Sequence, residues 1–104
     1  MSSYGCYAKF TAQHGQRDIL VELLLGAAAL VETTTGCELY IFNTSPTEPD
    51  SLWVTEGWRN QQDHDASLSI ESIKANIKQV LPLLAGSPEK IDLLLVGGKG
   101  LAMA

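Results

Sequence analysis

The spacing of apolar and polar residues changes along the chain, and the changes mark its elements. Residues 4–11, YGCYAKFT, are rich in aromatic and β-favouring residues and predict a first strand. A turn, AQHGQRD, follows. Residues 17–32, RDILVELLLGAAALVE, are too long for a strand and rich in Leu and Ala, which predicts a helix. Its apolar residues cover most of the circumference and leave Asp18, Glu22 and Glu32 as the polar remainder, so cover on more than one side is expected. TTTG closes it, with Gly36 available for a left-handed turn. Residues 37–43, CELYIFN, and 52–59 read as a second and third strand. TSPTEPDS between them predicts a hairpin with a long connection. Asn60 is placed to cap a short helix over QQDHDASL, with Asp63 in its first turn. Ser69 is the expected cap of a second segment, where Ile70, Ile73, Ile77, Val80, Leu81 and Leu84 recur at helical spacing and Pro82 falls near the end. AGSPE stops it. Residues 91–96, IDLLLV, predict a fourth strand, and GGKGLAMA trails off as a flexible tail that could lie on a partner subunit.

The order β-α-β-β-α-β over residues 1–104 predicts one α+β domain of the ferredoxin-like kind. It has a four-stranded antiparallel sheet, both helices on one face, and the first and third strands in the centre. Cys6 and Cys37 then fall on strands that are not neighbours, and no disulfide between them is expected. Two helices cover only one sheet face, so the strands should alternate apolar and polar. They do not. LYIF and LLLV are apolar on both faces, and the third strand puts Trp53 on one face and Trp58 on the other. At ~25 cal/mol per Å² of apolar area, a wet second face forfeits several kcal/mol. The expected cover is a second copy, packed sheet to sheet about a two-fold axis.

Composition narrows the partners. The net charge of −5, with seven scattered Lys and Arg, argues against nucleic acid and against anionic membrane surfaces. No apolar run reaches the ~18 residues of a membrane span, and MSSYGCYAKF lacks a signal-peptide pattern, which makes the cytoplasm the expected location. The two lone cysteines are expected reduced, and no metal-spaced set occurs. VGGKG lacks the GxxxxGK[ST] spacing and following helix of a phosphate loop, and no GxGxxG, GxSxG or HExxH appears. No cofactor or metal is therefore expected.

The space between the sheet and the helices is the natural place for a small apolar pocket, lined by the third strand and the start of the second helical region. His64 falls there, whereas His14 sits in the first turn. An imidazole moves protons near neutral pH, so His64 is either a general base or a helix-end histidine bonded to solvent or a backbone carbonyl. Asp63 and Asp65 flank it but point about 100° apart, so they cannot both orient it. Glu56 shares a strand face with Val54 and Trp58 at period two. A carboxylate there needs a partner. Lys9, taken to lie on a parallel neighbouring strand, is in reach, whereas Arg59 points to the other face. Trp53, Trp58, Tyr7 and Tyr40 are either core and interface residues or ring-binding surfaces.

GCELYIF, VTEGWRNQQDHDASL and PLLAG…IDLLLVGGKGL together resemble the antibiotic biosynthesis monooxygenase domain family, which includes small quinol monooxygenases. The resemblance spans nearly the whole chain, and TEGW followed by HDASL is its most specific part. It implies a dimeric α/β barrel of two ferredoxin-like subunits. It also implies cofactor-independent oxidation of a small aromatic or quinol substrate by O2. In that reaction His64 would take the substrate proton, with Trp58, Tyr40 and Glu56 in the binding site. Haem-degrading members use an Asn on the first strand and a Trp and a His on the second helical segment. Ala8, Ser67 and Ile77 stand at those positions, so haem degradation is not expected. Competing readings are an isomerase of a small carbonyl metabolite using His64 and Glu56, and a non-catalytic ligand-binding dimer.

Overall fold

The computed structural model describes residues 3–32 and 34–99. The element order is β1 (Tyr4–Thr11), α1 (Arg17–Val31), β2 (Cys37–Ser45), β3 (Glu48–Trp58), α2 (Gln61–Ser67), α3 (Glu71–Val80), a 3-10 turn (Leu81–Leu83) and β4 (Glu89–Leu94). Every neighbouring pair in the sheet order β2-β3-β1-β4 is antiparallel. The expected ferredoxin-like plan, with the first and third strands central, is the one found. The sheet is open, with β2 and β4 as edges. Among the described residues no helix is long and apolar enough to cross a membrane.

Period-two alternation sorts the central strands. Tyr4, Cys6 and Ala8 of β1 and Leu52, Val54 and Trp58 of β3 are buried beneath the helices. On α1, Leu20, Leu24, Ala27 and Val31 recur three and four apart and form a single buried stripe. Burying each of these leucines is worth roughly 1.5–3 kcal/mol. The helix is covered on more than one side, as expected, by the sheet and by α3, but Ile19 and Leu25 point outward, about half exposed. A sheet on one side and α3 beside it occupy only part of the helix surface.

Four boundaries differ from the sequence reading. The β2–β3 connection is a two-residue turn, Pro46 and Thr47, because Ser45 already pairs with Glu48. Pro49 fits inside β3 because it falls in the bulge between the Thr44–Leu52 and Ser45–Glu48 pairs, where no ladder N–H is required. Ser69 does not cap α3. Its N–H bonds back to the Ala66 carbonyl in the turn that ends α2, and Ile70 stands at the cap without a side-chain bond. Leu84 lies beyond α3, in a bridge to Ala12. The last strand sits two residues earlier than expected, at Glu89–Leu94, and the end of the expected tail, 100–104, lies outside the described residues. Gly36 takes the left-handed turn as anticipated, at φ 87°. Cys6 and Cys37 are both free thiols.

Candidate functional site

The joint between β3 and α2 fixes the site. Asn60, in extended conformation, accepts a hydrogen bond from the Asp63 N–H at 2.7 Å and starts α2 at Gln61, as the sequence predicts. Arg59, just before the cap, pairs with Asp63 four residues on at 2.6 Å, and its N–H donates to the Gly36 carbonyl at 2.8 Å. The strand end, the turn after α1 and the start of α2 are thereby tied together. His64, one residue beyond Asp63, is turned inward and buried.

Its surroundings are specific. The imidazole lies edge-on to the Trp58 indole at 5.6 Å and tilted against the Tyr4 ring at 4.9 Å. Nδ1 is 2.9 Å from Asp65 Oδ1. An ionised carboxylate only accepts, so Nδ1 carries the proton. In the neutral ring Nε2 is then the bare nitrogen, 3.8 Å from Glu56 Oε1 and too far for a hydrogen bond to it. Of the two flanking acids, Asp65 orients the ring and Asp63 pairs with Arg59. Nδ1 of His64 is thus bonded to a side-chain carboxylate rather than to a backbone carbonyl.

Glu56 faces the helices between Val54 and Trp58, as period two requires. Its Oε1 accepts a hydrogen bond from Trp58 Nε1 at 3.0 Å. The expected approach of Lys9 does not occur. β1 runs antiparallel to β3, Lys9 stands opposite Trp53 on the other face, and its ammonium binds Glu48 at 2.8 Å.

These groups open onto a cavity of about 270 Å³ between the sheet and the helices. Phe10, Leu24, Ala27, Val31, Ile73 and Val80 supply its apolar walls, and Tyr40, Glu56, Trp58 and His64 line it together. Leu68, Ile77 and Leu81, all partly exposed, stand where it meets solvent. The four residues singled out from the sequence are therefore brought to one cavity. Sequence reasoning missed Ser67 and Asn76. Ser67 Oγ donates to the His64 carbonyl at 2.6 Å, and Asn76 Nδ2 donates to the Leu23 carbonyl at 2.8 Å. Their spacing from His64 (three residues, then nine more) was legible, but their inward direction was not. Burial, and then the Glu56 charge, push the Tyr40 phenol above its ordinary pKa, so it stays a neutral hydroxyl.

The other tryptophan marks the other face. Trp53 lies under the Lys9 ammonium at 5.5 Å, on the side of the sheet that also carries Tyr7, Ile41, Ile91 and Leu93.

A model of the family described as "Antibiotic biosynthesis monooxygenase" matches residues 3–79. A Chloroflexus aurantiacus J-10-fl protein described as a "putative Antibiotic biosynthesis monooxygenase" is 37% identical, with a TM-score of 0.88 over 96% of this chain and 99% of that one. A Caulobacter crescentus CB15 protein described in the same words is 24% identical, with a TM-score of 0.86 over 92% of each chain. A Bacteroides thetaiotaomicron VPI-5482 protein described as a "Possible Oxidoreductase" shares the fold at 16% identity, with a TM-score of 0.81 over 90% of this chain and 98% of that one. No curated protein matches.

Proposed function

Because the chain belongs to the antibiotic biosynthesis monooxygenase family, we propose that it is a cofactor-independent monooxygenase, working as a homodimer, that oxidises a small phenol or quinol with O2. The observation that carries this reading is the bare Nε2 of His64, aimed into an apolar cavity and held there by Asp65 on the opposite nitrogen. A phenol in the cavity donates its O–H to Nε2 and packs its ring against Trp58 and Tyr40. Transfer of the proton leaves an electron-rich phenolate beside an imidazolium that faces carboxylates on both sides. The phenolate reduces dioxygen directly. For a hydroquinone the balanced outcome is hydroxyquinone plus water, with every electron that reduces O2 drawn from the substrate. The protein contributes proton transfer, orientation and a dry pocket.

Oxygen uptake with a panel of hydroquinones tests this. Native protein should consume O2, and His64→Ala should lower kcat by roughly 10²–10⁴-fold, the range for loss of a general base. Uptake unchanged by the substitution removes His64 from the mechanism. A second reading has its own support: Glu56 and His64 place two proton carriers 3.8 Å apart on one wall, the pair an isomerase of a small carbonyl compound uses. Turnover of such a compound without oxygen uptake would favour it.

A further inference from the structure

The charge and hydrogen-bond inventory of the cavity points to the kind of ligand it accepts. Of the seven Lys and Arg in the chain, none lines it. Lys9, Arg59, Lys74 and Lys78 each adjoin a lining residue in sequence without lining the cavity themselves; Arg59 is engaged by Asp63, and Lys9, Lys74 and Lys90 pair with Glu48, Glu71 and Asp92. The charge on the wall is the Glu56 carboxylate, 14% exposed.

The donors are largely spent inside the protein. Trp58 Nε1–H goes to Glu56, the Ser67 hydroxyl to the His64 carbonyl, Asn76 Nδ2 to the Leu23 carbonyl and His64 Nδ1–H to Asp65. What remains for a ligand is mostly acceptors, the remaining Glu56 lone pairs, His64 Nε2 and the Asn76 carbonyl oxygen, beside the second Asn76 N–H. Tyr40, a neutral hydroxyl, is the main donor left.

We propose that Glu56 is a specificity determinant: the cavity takes neutral aromatic ligands that bring hydroxyl donors and rejects counterparts carrying a carboxylate, sulfonate or phosphate. This rests on the reading of the cavity as the substrate site. An anion entering it meets a like charge in a low-dielectric space and finds no cation to offset its lost hydration. A neutral diphenol avoids that cost, and its O–H groups satisfy acceptors that an anion leaves unpaired. The selection also agrees with the chemistry proposed above. When a neutral phenol passes its proton to Nε2, the cavity keeps the single net negative charge it began with. An anionic substrate would double it.

Binding tests this without turnover. With O2 excluded, hydroquinone, its ring-carboxylated analogue and the methyl ester of that analogue are titrated into the full chain, following the Trp58 indole N–H resonance from inside the cavity. Hydroquinone should bind about tenfold or more tightly than the carboxylate, an effect of the size expected for close like charges in a partly buried site. The ester, which is neutral and larger, should bind with hydroquinone. Glu56→Gln, which keeps an acceptor for Trp58, should narrow the ratio to about threefold, mainly by admitting the acid. Glu56→Asp, which keeps the charge, should preserve discrimination.

Equal binding of acid and diphenol by the native chain overturns the proposal, and so does an ester as weak as the acid, since size would then be the filter. A ratio unchanged in Glu56→Gln removes Glu56 from the role. Binding of none of the three overturns the proposal together with the reading it rests on. Selective binding of hydroquinone with no oxygen uptake supports the selectivity and counts against the oxygenase chemistry alone.

Discussion

At the scale of single residues, the candidate site was partly legible. Period two placed Glu56 and Trp58 on one face, and the strand-helix junction placed His64 near them. The Nδ1 contact to Asp65 was not legible. Neighbours on a helix point apart, and two side chains meet only when their rotamers turn toward each other, which spacing does not encode. Tyr4 shows the same limit. It read as an ordinary strand aromatic, yet it packs on His64 and its hydroxyl donates to Asp92 at 2.8 Å. Burial first, and then this bond to a carboxylate, raise its pKa to about 12 from 10.0. The folded chain therefore keeps the Tyr4 proton to higher pH than the unfolded chain does. Its contribution to stability is complete below pH 10, declines as the unfolded phenol ionises, and is gone once the pH has passed through the folded value near 12. Phenolate absorbance should show two late-titrating tyrosines, Tyr4 and Tyr40, of which one is lost in Tyr4→Phe. The native chain should lose denaturation midpoint faster than Tyr4→Phe between pH 10 and 12. Equal losses would deny Tyr4 this role.

At the scale of elements, boundaries were read correctly where a local device sets them and misread where tertiary pairing does. Asn60 and Gly36 act locally, through a side-chain cap and a left-handed turn, and both were found as read. Pro46 and Pro49 carry the composition of a loop. Strand pairing overrides it by placing one in the turn and the other in a bulge. Ser69 has the chemistry of a cap, but the turn ending α2 already uses its backbone. The Asn60 cap matters beyond its own helix, because α2 is only seven residues long and carries His64. A helix that short has little intrinsic stability and depends on its ends and its packing. Asn60→Ala should lower global stability by about 1 kcal/mol, the usual cost of a lost cap. It should raise hydrogen-exchange rates in α2 more than in α1. Asn60→Asp, which restores the acceptor, should recover most of both. A uniform loss of protection across the chain would place the role of Asn60 in the fold as a whole rather than in the joint.

At the scale of the whole molecule, the strand pattern carried more than the fold. Strands apolar on both faces implied that the face away from the helices needs a cover, and that face exposes Tyr7 at 43%, Ile41 at 46% and Ile91 at 56%. It is also smoothed at one end of its two central strands. Gly5 and Gly57 pair across β1 and β3, and Leu95 folds back over them, so a Cβ at Gly5 would come within 2.8 Å of Leu95 Cδ2. A face so built, with Trp53 beneath Lys9 toward the other end, suits a flat partner such as a second sheet. The proposed homodimer closes this open sheet against its own copy, and a stable interface of that kind buries about 800 Å² per partner. Sedimentation of the native chain should give a dimer. Ile41→Glu places a carboxylate in the proposed interface while leaving the helix-side core untouched. It should shift the chain toward monomer, with far-UV circular dichroism unchanged. The thermal midpoint of the native chain should rise with concentration, since association stabilises the folded state by mass action, and this dependence should vanish in the variant. A native chain that sediments as a monomer at every concentration would leave the apolar face unexplained and rule out the two-subunit barrel.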